Sequence, residues 1–107
     1  EKLMIRGKEQ AFFVDKKDIV FVERCENATD IVTVDEIFKT AASLTDIEEK
    51  LHANEFMRCH KSYIINLSKI SRIEPYGRWT YVVKFKGISA TALMTAKSYE
   101  EIKKIFG

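Results

Sequence analysis

Cysteine, glycine, long apolar runs and net charge are all scarce in this chain, and each shortage removes a class of function. Two cysteines in 107 residues, Cys25 and Cys59, make no disulfide framework and point to a reducing, cytoplasmic setting. Cys25, His52, Cys59 and His60 lack the close-paired spacing of a zinc site, so no metal is expected. Four glycines, with no glycine-rich loop ahead of a helix, leave little material for a phosphate cradle, and no cofactor is expected. No uninterrupted apolar run approaches the ~20 residues of a membrane helix, and no signal-peptide pattern opens the chain. Net charge is only +2, from 18 Lys+Arg against 16 Asp+Glu.

What is present suits a folded chain: 46% of the residues are hydrophobic, which argues against wholesale disorder. The length fits one domain with a single core, and no repeat, linker or low-complexity tract divides it. Because the first residue is Glu1 rather than Met, residues 1–107 are expected to be one domain of a longer protein.

The small net charge conceals a strong asymmetry. Residues 26–55 carry Lys39 and Lys50 against eight acidic side chains, a balance of −6. Residues 56–86 carry Arg58, Lys61, Lys69, Arg72, Arg78, Lys84 and Lys86 against Glu74 alone, a balance of +6. A basic block of that kind suits a polyanion if the fold gathers it on one face. A solvated face paired with acidic neighbours is the blander alternative.

Short β-branched and aromatic runs, Leu3–Arg6, Ala11–Val14, Ile19–Val22, Ile31–Val34 and Ile37–Thr40, read as strands separated by polar turns. Leu44, Ile47 and Leu51 then recur at helical spacing, with Ser43 as a cap or Thr45 and Glu48 as a capping box. Strands resume at Trp79–Lys86, where Trp79, Tyr81, Val83 and Phe85 share a face. Gly87 turns the chain into Ile88–Met94. Residues 63–73 fit either a helical turn or a strand. Ser98 and Glu101 suggest a capping box for a last helix, with Tyr99, Ile102 and Phe106 on one side. The expected fold is mainly β: small antiparallel sheets, one short amphipathic helix near 43–53 and a short C-terminal helix.

Catalytic signals are weak, and no enzyme is expected. Adjacent Cys59 and His60 would point to opposite faces of an extended segment and could not share a proton. Binding signals are stronger. Arg58, His60, Lys61 and Ser62 combine charge with hydrogen-bond donors suited to phosphate oxygens. For His60 and Asn66 a structural role, satisfying a core carbonyl or capping a turn, stands beside a contact role.

The stretch Phe56-Met57-Arg58-Cys59-His60-Lys61-Ser62-Tyr63-Ile64-Ile65-Asn66 resembles the signature of the LytTR-type DNA-binding domain of bacterial response regulators. Asp18–Glu23, Ser43–Leu51, Lys69–Glu74 and Lys97–Tyr99 resemble further blocks of that family, so the similarity spans nearly the whole chain. The resemblance implies transcription regulation through double-stranded DNA, with loops rather than a recognition helix entering successive major grooves. It also implies a dimer on paired repeats and an N-terminal receiver domain. Carried over by position, Asn27–Asp30 and Thr95–Ser98 would be the two reading loops, with Thr29 and Lys97 contacting bases. Asn27, His60, Lys61, Ser62, Arg78, Lys86, Thr95 and Ser98 would contact phosphates. Where the family often has arginine this chain has Lys97, a point charge without the bidentate fork that grips guanine. Cys59 lies inside the signature, so its oxidation would hinder DNA contact. The rival expectation is a non-enzymatic protein-interaction or sensory module using the basic 56–86 region.

Overall fold

The computed structural model describes residues 1–107, which form ten strands and two α-helices. The strands are β1 (Lys2–Arg6), β2 (Ala11–Asp15), β3 (Ile19–Arg24), β4 (Thr29–Thr33), β5 (Ile37–Thr40), β6 (Phe56–His60), β7 (Tyr63–Asn66), β8 (Ile70–Pro75), β9 (Thr80–Phe85) and β10 (Thr91–Thr95). The helices are α1 (Leu44–Glu48) and α2 (Ala96–Phe106). All pairing is antiparallel: a β1-β2 hairpin, a central sheet in the order β5-β4-β3-β7-β6, and a smaller sheet in the order β10-β9-β8.

The central sheet is covered on both faces, which explains why its inner strands read as continuous apolar runs. Ile31 of β4 and Ile64 of β7 pack toward α1 and the β1-β2 hairpin, with Leu3, Ile47 and Leu51. Their neighbours Val32 and Ile65 pack the other way, toward Val83, Met94 and Ile102 of the smaller sheet and α2. On β3 the simple alternation breaks. The register shifts between Ile19 and Phe21, so Val20 and Phe21 serve one core while Ile19 and Val22 serve the other. The only proline, Pro75, ends edge strand β8, where a missing donor disturbs no inner ladder.

Most expected elements appear, with several bounds moved, among them β10, which starts at Thr91 rather than Ile88. Helix α1 ends at Glu48 rather than near 53. Ser43 caps it by accepting from the Asp46 amide at 3.0 Å, and Thr45 and Glu48 receive Arg58 instead of forming a capping box. Strand β4 starts at Thr29, two residues earlier than the apolar run suggests. Residues 63–73 resolve into β7, a 3-10 turn and β8. Trp79 stands outside β9 and is 76% exposed instead of sharing the Val83 and Phe85 face. Finally, α2 starts at Ala96 with Thr95 as its cap, displacing the expected Ser98 box, and Phe106 is exposed. Neither helix is long and apolar enough to cross a membrane.

Candidate nucleic-acid interface

One end of the central sheet gathers two connections. The turn after β3 closes with the Cys25 amide donating to the Ala28 carbonyl at 2.8 Å, and leaves Asn27 exposed at its tip. The turn between β6 and β7 carries His60, Lys61 and Ser62. Antiparallel pairing of β3 with β7 places it alongside, and the Arg24 amide donates to the Ser62 carbonyl at 2.8 Å. Arg58 holds this second turn from below. Its Nη2 donates to the Lys61 carbonyl at 2.7 Å, while Nη1 reaches Glu48 of α1 at 3.1 Å. Arg58 is therefore occupied in positioning, and Lys61 is left exposed.

The half-buried His60 ring has a defined polarity. Nδ1 accepts from the Ser62 amide at 3.1 Å, which leaves the proton of the neutral ring on Nε2 as a free donor. Burial, reinforced by the Lys61 charge, lowers its pKa and favours that neutral form. Tyr63 packs edge-on at 5.5 Å and donates its hydroxyl to Glu23 at 3.0 Å. Burial and the Glu23 carboxylate push the Tyr63 phenol up to about 12, so it remains a donor that fixes the ring's wall.

A second group forms where β10 runs into α2. Thr95 ends the strand and caps the helix, its hydroxyl accepting from the Ser98 amide at 3.1 Å. Lys97 lies exposed in the first helical turn, which contains no acidic residue. A lysine there opposes the helix dipole at a cost of ~0.3–1 kcal/mol, whereas an incoming anion is favoured by both dipole and charge. The Ala96 amide donates to the Trp79 carbonyl at 3.1 Å, and this bond brings exposed Arg78 to the same edge. Cys59 Sγ donates to the Leu93 carbonyl at 3.2 Å and ties the two groups together. From that link, two residues of strand on each side put Lys61 and Thr95 within about 22 Å of each other.

This fold and signature have known counterparts. The family model of the LytTr DNA-binding domain matches residues 9–107. The chain belongs to the LytTR family. It is 32% identical over 98% of its length to the transcriptional regulatory protein NatR of Bacillus subtilis, covering 45% of that protein. It is 31% identical over 97% of its length to the sensory transduction protein LytT of Bacillus anthracis, covering 42% of it. The chain thus spans less than half the length of these curated relatives. A solved LytTr DNA-binding domain of a methyl-accepting/DNA response regulator from Bacillus cereus superposes with a TM-score of 0.81. It shares 19% identity, with 99% of this chain and 96% of that one aligned, and so shows the fold.

Against this LytTR frame, several residue expectations change. Thr29 is fully buried at the start of β4, its hydroxyl donating to the Ala42 carbonyl at 2.6 Å and accepting from Arg24 at 2.9 Å. A side chain so enclosed offers nothing to a base, so the tip of the first turn passes to Asn27. Asp30 likewise lies in β4, paired with Lys39 at 2.8 Å. The second segment is a strand end and a helical turn rather than a loop. Lys86 stands apart from Arg78, at the far end of β9 and about 20 Å away, its amide donating to the Lys69 carbonyl at 3.2 Å. Asn66 is structural: it caps the 3-10 turn through Ser68 and donates to the Ile19 carbonyl at 2.7 Å. Cys59 is fully buried and its thiol is pushed up to about 12 by burial, which removes the reactive thiolate that oxidation requires.

The sequence reading also missed a basic cleft. Arg6 and Lys8, from the β1-β2 turn, line it with Asn27 and Lys39 beside the Cys25–Ala28 turn. Arg6 and Lys8 lie in a nearly neutral stretch, distant in sequence from the basic block. Only the hairpin's folding over the sheet brings them there.

Proposed function

We propose that this domain binds double-stranded DNA with sequence preference and regulates transcription as the effector part of a longer response regulator. The Cys25–Ala28 turn and the first turn of α2 enter successive major grooves, while His60, Lys61, Ser62 and Arg78 hold the backbone between them. The observation that carries this reading is the α2 start. Lys97, an uncompensated helix dipole and Arg78 converge on one exposed edge, tied through Cys59 to the His60–Ser62 turn. The names of the relatives, a transcriptional regulatory protein and a sensory transduction protein, support the regulatory role. Their greater length supports an N-terminal receiver domain, and the paired-repeat dimer follows from the same family reading.

Selection of bound duplexes from a random pool is the direct test, and recovery of a paired motif is the expected result. Lys97→Ala should erase much of the preference for that motif over random DNA. Lys61→Ala should weaken all duplexes alike and reduce the salt slope by about 0.9 for the one phosphate lost. A domain blind to duplex DNA at low salt would instead be a protein-interaction module.

A further inference from the structure

The β8-β9 turn holds an exposed aromatic pair that neither the fold nor the residues above account for. It runs Tyr76-Gly77-Arg78-Trp79 and is closed by the Tyr76 amide donating to the Thr80 carbonyl at 2.9 Å. Trp79 is 76% exposed and Tyr76 60% exposed, the first of these the most exposed large apolar side chain in the protein. Trp79 is also the only non-glycine residue at positive φ, 66°. A left-handed residue of this size costs ~1–2 kcal/mol relative to the same position held by glycine. The fold therefore keeps the largest side chain in water, on the one backbone conformation that glycine would occupy more easily. Such strain concentrates at functional positions.

Its location gives the strain a meaning. The Trp79 carbonyl receives the first amide of α2, at 3.1 Å, so indole and Lys97 leave the surface from bonded neighbours. Arg78 precedes it and is exposed, and no acidic residue occupies the turn or the first turn of α2. An apolar ring framed by uncompensated cations fits a ligand that is itself apolar and anionic in alternation. The sugar–phosphate edge of DNA has that character, with deoxyribose faces between phosphates. We infer that Trp79 packs its indole against the deoxyribose edge flanking the groove entered by α2, with Arg78 on the adjacent phosphate. The indole Nε1–H, the polar tip of the ring, is left to donate to a phosphate oxygen. The contact adds affinity without reading bases. Because it holds the backbone that the α2 start leans on, it also sets how deeply Lys97 enters.

This inference rests on the DNA-binding reading, and one experiment separates the two. Trp79 is the only tryptophan, so intrinsic emission reports on it alone. Labelled duplex, both random and selected, is titrated with protein while DNA anisotropy and tryptophan emission are followed together. Expected are a blue shift, protection from acrylamide, and a rise in anisotropy at the same protein concentrations. Trp79→Gly relieves the backbone and should unfold no more easily than the parent, yet bind both duplexes about tenfold more weakly. Trp79→Tyr should recover most of that loss. Bound DNA with unchanged emission and undiminished Trp79→Gly affinity overturns the contact and leaves the DNA-binding reading intact. Emission that shifts with protein concentration alone assigns the face to a second copy of the chain and also overturns it. No anisotropy change on any duplex overturns both.

Discussion

His60 shows how a single ring is prepared for a contact by what lies behind it. The Ser62 amide takes Nδ1, Tyr63 closes one side, and Nε2–H is left facing out. Burial and Lys61 set its pKa below the ordinary 6.5, so the folded state binds this proton less readily than the unfolded chain does. The stabilisation is fully present above the unfolded value and is lost as pH falls through the lower, folded one. Protonation would place the ring's second hydrogen on Nδ1 and oppose the Ser62 amide. The ring resonances of His60 should therefore titrate with a midpoint below 6.5 in an NMR series, and His60→Gln should remove that part of the acid-side loss of stability. A midpoint at or above 6.5 would mean that the ring is exposed rather than held. Arg58 and Thr29 differ from His60. Both have the chemistry of DNA contacts, and both are engaged in fixing turns instead.

Among the elements, α2 presents Lys97, and its start depends on one hydroxyl. Thr95→Ala removes the acceptor of the Ser98 amide and should cost about 1 kcal/mol in urea denaturation. It should also weaken binding to the selected motif more than to random duplex, because the first turn that presents Lys97 frays. Thr95→Ser should restore both. Loss of stability with undiminished binding would separate the cap from the interface. The sequence made α2 itself legible, through Tyr99 and Ile102, but misplaced its cap. Ser98 with Glu101 has the spacing of a capping box, yet pairing of Thr95 with Thr80 carries β10 right up to the helix, so the strand's last hydroxyl takes the role first. The same competition hid Thr29. Thr29, Ile31 and Thr33 alternate within one strand, a β pattern that a polar stretch disguised as loop. Strand alternation likewise carried Trp79 into β9, although Gly77 and the turn to Thr80 had already ended the hairpin's loop at it. By contrast, the signature Phe56–Asn66 maps onto β6, its turn and β7, because its apolar positions fill the two cores while its polar ones fall at the exposed end.

Across the whole molecule, charge is organised by folding rather than by order along the chain. The basic block supplies Lys61 and Arg78 to the candidate interface, but leaves Lys86 at the far end of β9. Arg6 and Lys8 arrive from the opposite side of the sequence, through the β1-β2 hairpin, to line the cleft beside Asn27. Lys39 in the same cleft is already paired with Asp30, which raises its pKa through that hydrogen bond and charge, so Arg6 and Lys8 supply the uncompensated charge. If DNA lies along this end of the sheet, the hairpin reaches phosphates beyond those held by Lys61. Replacing Arg6 and Lys8 together with alanine should then lower the slope of log affinity against log salt by up to about 1.8, at about 0.9 per phosphate contact. Preference among sequences should survive, since backbone contacts carry no base information. Lys103 and Lys104 provide the control. They occupy the last turn of α2, about 10 Å along the helix from Lys97, where Lys103 is held by Glu100 at 3.0 Å and stacks over Tyr99. Alanine at both should leave the slope unchanged. Equal slopes for the Arg6/Lys8 variant and the parent would confine the DNA to the β6-β7 turn and α2, and would leave the cleft without a phosphate.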